Sequence, residues 1–289
     1  MAKRARNPQA ILPRWLAIST IAGLLVLVLT PVAYMVLMSV SPDVEAVSGG
    51  VVPSSFKIGN YVLMWQTVPL ASALFNSLFA SLTAGLISIV LGLGAAYCLT
   101  RFDFPGRATF LSSLVALQSL PQVLLILPIF VLFSSVGLAL GTPIVGTRFG
   151  LILTYLTFAL PFSTWLMVTY LRQIPQTFEE AALIDGLSRV GALRRIILPL
   201  ALPGMVVALV FALLLGWNDV LFASVLTAPD TKTVAVELGS FASTTEGGAV
   251  PLYGQLMAAS LTSAVPVVAL YMIFQRQLVG GLTAGGDKG

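Results

Sequence analysis

The chain has 289 residues, 57% of them hydrophobic and only 9% charged, with a formal net charge of +4. Soluble globular domains carry roughly a quarter charged residues, so this composition excludes an ordinary soluble fold and points to a chain whose apolar surface is covered by lipid. The absence of histidine and the single cysteine exclude a Ser-His-Asp triad, a Cys-His dyad, a His/Cys metal site and an intrachain disulfide.

A helix crossing roughly 30 Å of hydrocarbon needs about 20 apolar residues, and six stretches meet that need: 15–40, 73–100, 108–136, 149–171, 201–227 and 255–275. The expected fold class is therefore all-α, a polytopic membrane protein. The first run follows Lys3, Arg4, Arg6 and Arg14 and has the look of a secretory signal. Its apolar part exceeds the roughly 7–15 residues of a signal core and contains Pro31 and Tyr34, which predicts a retained span. The segment after it, with Pro42, Gly49-Gly50 and Pro53, reads as a surface loop with little regular structure. Along the second run, Gly85, Gly92, Gly94 and Ala95-Ala96 place small residues where helices can approach closely, within the chain or in a partner. Asn76 is expected to make a helix-packing hydrogen bond, and Cys98 to be an inert packing residue.

Basic residues set the orientation. With the N-terminus inside, Lys3, Arg4, Arg6, Arg14, Arg101, Arg107, Arg172, Arg189, Arg194, Arg195, Arg276 and Lys288 face the cytoplasm, twelve of the 15. Only Lys57, Arg148 and Lys232 fall outside. The resulting plan is a cytoplasmic tail at 1–14, a six-helix region at 15–275 with a cytoplasmic loop at 172–200, and a second cytoplasmic tail at 276–289. Because the positive charge is spent on topology, it gives no reason to expect nucleic acid as a partner; membrane lipid is one by composition. The basic start reads equally as a topology signal or a holder of anionic lipid.

The 172–200 loop is the polar exception in an apolar chain. Pro175 stops the preceding helix, and Thr177-Phe178-Glu179-Glu180 has the spacing of a capping box. A short helix over 178–185 is expected to end at Gly186 in the left-handed conformation. Ser188 is positioned to cap a second short helix on which Val190, Leu193 and Ile197 recur at helical spacing, before Pro199 and Pro203 begin the fifth span. Ala181 and Ala182 suit a rigid knob that must come close to another protein. Some of Glu179, Glu180 and Asp185 are expected to pair with Arg189, Arg194 and Arg195. A mere connector would not need this length, since loops of about 2–8 residues join adjacent helices.

Glu180-Ala181-Ala182, Gly186, and Ile196, Leu198 and Pro199 at these intervals resemble the EAA motif of inner-membrane permease subunits of binding-protein-dependent ABC importers, specifically the sugar importers of the maltose-permease second-subunit type. Asn76-Ser77, Ala95-Ala96-Tyr97, Arg101-Phe102, Gly106-Arg107, Thr147, Gly150-Leu151, Pro161-Phe162 and Trp217-Asn218-Asp219 extend the likeness over most of the chain. Leu187 replaces a small residue and Leu193 a frequent phenylalanine, both keeping the apolar face. The resemblance implies the type I importer fold and a non-catalytic half-channel for a sugar. It also implies a second permease subunit, two copies of a cytoplasmic ATPase that bind ATP and Mg, and an extracytoplasmic solute-binding protein. The ATPase-coupling set it assigns is Glu179, Glu180, Ala181, Ala182, Asp185, Gly186, Ile196, Leu198 and Pro199. No cofactor is expected in the chain itself, which has no GxxxxGK[ST] phosphate loop.

Polar residues inside spans are costly and mark candidate sites. Asp219 is the only acid in a predicted span, with Trp217 and Asn218 beside it, and Gln118 and Gln122 flank Pro121 in the third. These five form a candidate substrate path, with an indole to stack on a sugar ring and amide and carboxylate groups for its hydroxyls. The alternatives are an interfacial tryptophan anchor, an aspartate that caps backbone or meets a partner subunit, and glutamines that satisfy carbonyls freed by the proline. No basic residue lies within the spans, which favours a neutral solute over an anion. The same machinery carrying a glycerol phosphate or polyamine is the first alternative. A self-sufficient secondary transporter is the second, and Asp219 alone provides little for ion coupling.

Overall fold

The structure, a computed structural model of the chain, describes residues 13–48, 53–242, 245–246 and 250–283. In chain order the helices are α1 (Arg14–Ser39), α2 (Asp43–Ser48), α3 (Asn60–Thr67), α4 (Leu70–Arg101), α5 (Arg107–Gln118), α6 (Ile126–Leu140), α7 (Arg148–Leu171), α8 (Thr177–Ile184), α9 (Arg189–Ala192), α10 (Leu198–Trp217), α11 (Leu221–Leu226) and α12 (Val234–Ala242). A two-residue antiparallel pair, β1 (Thr245–Glu246) and β2 (Val250–Pro251), precedes α13 (Tyr253–Thr283). Among the described residues, six helical stretches are long and apolar enough to cross a membrane.

Four expectations change. The segment after α1 is not featureless: it forms α2 and α3, while Gly49-Gly50 lie outside the described residues. The third predicted span, 108–136, is broken. Pro121 cannot donate a backbone hydrogen bond, α5 stops at Gln118, and a 3-10 turn (Gln122–Leu125) leads into α6. The fifth, 201–227, ends at Trp217, and Asn218–Val220 separate α10 from α11. Finally, Pro199 does not end the motif before it. A π-turn (Leu193–Ile197) carries α9 directly into α10, with the Leu198 amide donating to the Leu193 carbonyl. The tail residues Lys3, Arg4, Arg6 and Lys288 lie outside the described residues.

The described residues fall into two compact units. One comprises residues through Thr67 together with Phe241–Thr262. Within it Asp43 is buried, accepting from Lys57 Nζ (2.9 Å) and from the Gly254 amide (2.9 Å). Asn60 donates to the carbonyls of Ser39 and Ser41, both at 3.0 Å. The Ser54 hydroxyl and amide both donate to Glu45, holding its carboxyl below the usual carboxylate range.

The other unit is Val68–Ser240 with the chain from Ser263 onward, and its core is α4, α7 and α10. Two of the small residues of α4 serve contacts inside the chain: a Cβ on Gly92 would lie 3.1 Å from the Thr164 amide, and one on Gly85 3.1 Å from Leu209, whereas one on Gly94 would meet nothing within 4 Å. Gly204 of α10 packs flat on the Tyr170 ring, which a Cβ would meet at 2.6 Å. Asn76 does make the expected bond, accepting from Arg148 Nε at 2.7 Å, and it also donates to the carbonyls of Asp230 and Lys232, each at 3.0 Å. That clamp fixes the loop after α11 against the starts of α4 and α7.

Candidate functional site

Two places in the second unit carry the candidate residues. The first is the 172–200 segment. The expected capping box is absent: α8 begins at Thr177, Gln176 occupies the cap position, and no side chain caps it. Instead the Gln176 carbonyl accepts from the amides of Glu179 (2.9 Å) and Glu180 (3.1 Å). The end of α8 is as expected. Gly186 has φ +87°, its amide donates to the Leu183 carbonyl (3.1 Å), and the Leu187 amide reaches Ala182 (3.0 Å), the bonding of a Schellman motif. Ser188 does cap α9, accepting from the Gly191 amide at 3.1 Å.

The fold divides the coupling candidates. Glu180, Ala181, Asp185 and Gly186 are exposed on α8 and its end, beside Phe178, Leu183 and Ile184, the last 86% exposed. Val190 also faces out rather than joining Leu193 and the buried Ile197. Ala182 is buried; Ile196 and Leu198 are half-buried, and Pro199 is exposed. Glu179 departs from the expectation of an outward coupling residue. It turns inward, where Arg101 Nε meets one carboxylate oxygen at 2.5 Å and Tyr97 donates to the other at 3.0 Å. The expected local pairing is also absent. Among the described residues Glu180, Asp185, Arg194 and Arg195 form no ion pair, and Arg189 lies over the Phe102 ring, 5.3 Å from its centroid.

The second place is a cavity of about 590 Å³ lined by Gln122, Asn218, Asp219 and the aromatic side chains Tyr155, Phe158, Phe162 and Phe211, among others. A smaller cavity of about 220 Å³ has Gln118 and Gln122 in its wall. Four of the five predicted path residues therefore gather here, brought together by the break at Pro121 and the break after Trp217. Phe211, Leu214, Leu215 and Asn218 recur at helical spacing and give one face of α10 to the larger cavity. Asp219 accepts from the amides of Phe222 (3.2 Å) and Ala223 (3.0 Å), one through each oxygen, and so caps α11. Gln118 donates to the Leu114 carbonyl at 3.2 Å. Trp217 does not belong to the set: it is buried and absent from the wall, pointing one position around the helix from Asn218. The aromatic side chains in the wall are instead Tyr155, Phe158, Phe162 and Phe211, which ordinary core packing would explain equally well from sequence. Only Pro161-Phe162 carried a hint, as part of the family likeness.

Comparison with known proteins bears on both places. The family described as "Binding-protein-dependent transport system inner membrane component" matches residues 88–283, a region containing α8, its Gly186 turn and both cavities. The chain belongs to this family. As a permease of that kind, it is 33% identical over 262 residues to the trehalose transport system permease protein SugB of Mycobacterium tuberculosis, covering 90% of this chain and 93% of that one. It is 30% identical to the trehalose/maltose transport system permease protein MalG of Thermococcus litoralis, over 97% and 99% of the two chains. Its fold resembles a chain of a bacterial ABC transporter involved in the import of the acidic polysaccharide alginate, with TM-score 0.77, 19% identity and coverage of 95% and 99%. The permease is thus a multi-pass inner-membrane transport subunit of the ABC importer class.

Proposed function

We propose that this permease forms half of the path for a neutral sugar or sugar-like solute in an ATP-driven importer. It pairs with a second permease and takes solute from an extracytoplasmic binding protein. Through the 172–200 segment it couples to one of two cytoplasmic ATPase subunits that bind ATP and Mg. Both termini and that segment lie on the cytoplasmic side. The observation that carries the reading is the rigid, exposed face of α8. It sets Glu180 and Asp185, which form no ion pair among the described residues, beside Phe178 and Ile184, a partner-seeking combination of carboxylates and apolar surface.

The chemistry of the cavity supports a polyol. The amides of Gln122 and Asn218 supply donors and acceptors, the phenylalanine faces suit the C–H faces of a pyranose, and no Lys or Arg lines it. Its volume is that of a small-molecule site, and relatives are named for trehalose, maltose and diacetylchitobiose. On this reading Gln118, Gln122 and Asn218 touch solute, while Asp219 shapes the wall.

Purification from the native membrane in mild detergent tests the assembly. An ATPase, a second permease and a binding protein are expected to accompany the chain, and reconstituted vesicles should take up labelled trehalose or maltose only with ATP. Recovery of the chain alone, with uptake intact and indifferent to ATP, would replace this reading with a secondary transporter.

A further inference from the structure

The docking segment is joined by the backbone to α7 and α10, yet its strongest side-chain attachment is to neither. Glu179 of α8 is bonded to Arg101, 78 residues earlier, at the last residue of α4. The side chains are only 6% exposed for Arg101 and 11% for Glu179, so this is a desolvated pair and not a surface contact. Arg101 Nη2 also donates to the Ile174 carbonyl at 3.1 Å, which pins the link between α7 and α8 to the same point. Tyr97, one turn back on α4, holds the second Glu179 oxygen. A parallel tether secures α9, where Arg189 sits over Phe102, whose ring packs edge-on against Tyr97 with centroids 6.0 Å apart.

We infer that Arg101, Glu179 and Tyr97 form a latch that makes the docking helix move as one body with α4. This rests on the reading that the 172–200 segment docks an ATPase. The docking helix α8 is joined to α7 through the turn at 172–176 and to the α9–α10 helix through the turn at Gly186, and turns absorb displacement. A buried carboxylate held through both oxygens does not, because separating it from Arg101 leaves an uncompensated charge out of water. The three residues are positioning residues, since Glu179 is buried with both oxygens engaged inside the chain. α4 packs along both α7 and α10, so motion delivered to its end reaches the whole three-helix core, not only the neighbouring turns.

The test uses the assembled importer in vesicles. Glu179→Gln keeps the shape and removes the charge. The double variant Arg101→Gln, Glu179→Gln removes both charges, so that it folds even where the single does not. Three quantities are read: ATP hydrolysis, solute taken up per ATP, and the distance between nitroxides on native Cys98, exposed on α4, and on Gln176→Cys. In the unmodified chain the distance should stay fixed through the ATP cycle. In both variants it should spread or shift with ATP, hydrolysis should remain within about twofold, and uptake per ATP should fall roughly tenfold, the scale of coupling changes along a two-state element. Uptake per ATP unchanged in the double variant, or a label distance as fixed as before, would reduce the pair to an ordinary structural contact. If no ATPase accompanies even the unmodified chain, the docking reading fails first, before any variant is made, and takes the latch with it.

Discussion

Gly186 offers a perturbation whose size follows from one angle. Its φ of +87° is required for the turn between α8 and α9, and a Cβ built there meets nothing within 4 Å. Substitution by alanine therefore acts through the backbone alone. A residue with a Cβ pays about 1–2 kcal/mol in the left-handed region, and each 1.4 kcal/mol is about tenfold in an equilibrium. Gly186→Ala should thus cut the fraction of docking-competent turn by about 5- to 30-fold and weaken apparent ATPase affinity by the same factor. Gly186→Val should cost more, because a β-branched residue is a genuine outlier at positive φ. Gly186→Asn should lie close to the glycine, since asparagine visits this region readily. Titration of the purified ATPase onto the permease pair in nanodiscs gives the three affinities. The order Gly, Asn, Ala, Val is expected; wild-type affinity in Gly186→Val would refute the argument.

Gln122→Ala and Asn218→Ala should each raise the half-saturating solute concentration for uptake while leaving basal ATP hydrolysis within about twofold, losses of about 0.5–1.5 kcal/mol per hydrogen bond; Trp217→Phe should leave that concentration unchanged, and a shift there equal to that of Asn218→Ala would put the indole back in the path. Asp219→Ala removes both caps of α11 and should cost about 0.5–2 kcal/mol, read as a lower midpoint of thermal inactivation in detergent, with Asp219→Asn losing less; an unchanged midpoint in Asp219→Ala would show that the cap is idle. Gly204→Ala, forced into the Tyr170 ring, should destabilise by about 1–3 kcal/mol, whereas Gly94→Ala, with nothing within 4 Å, should stabilise slightly as a helix residue, and the same assay separates them.

The spans were legible because about 20 apolar residues in a row have one dominant solution in lipid. The turn at Gly186 was legible for a local reason, a glycine after a helical pattern. What sequence could not supply was the direction of side chains. Glu179 and Glu180 are neighbours of the same type, and only packing against the end of α4 decides that one faces in and the other out. Trp217 and Asn218 repeat the lesson on α10, where a rotation of about 100° per residue separates core from cavity wall. The helix breaks at Pro121 and Asn218 escaped for another reason: the apolar pattern continues through both, so hydropathy alone sees one span. The capping box failed because its spacing is necessary but not sufficient, and the Gln176 carbonyl already engages the amides that Thr177 would have served.

The unbroken run from α9 through the π-turn into α10 gives the permease a screw-like constraint. Residues 189–217 form a single rod of roughly 43 Å at 1.5 Å per residue, against roughly 30 Å of hydrocarbon. About three-tenths of it therefore stands clear of the apolar layer, and the docking helix joins that free end through the Gly186 turn. Removing or adding one residue between Leu193 and Leu198 would turn everything beyond by about 100° and shift it by about 1.5 Å. Here length and bearing are the same variable, so this stretch must hold its residue count even where it is free to change its side chains.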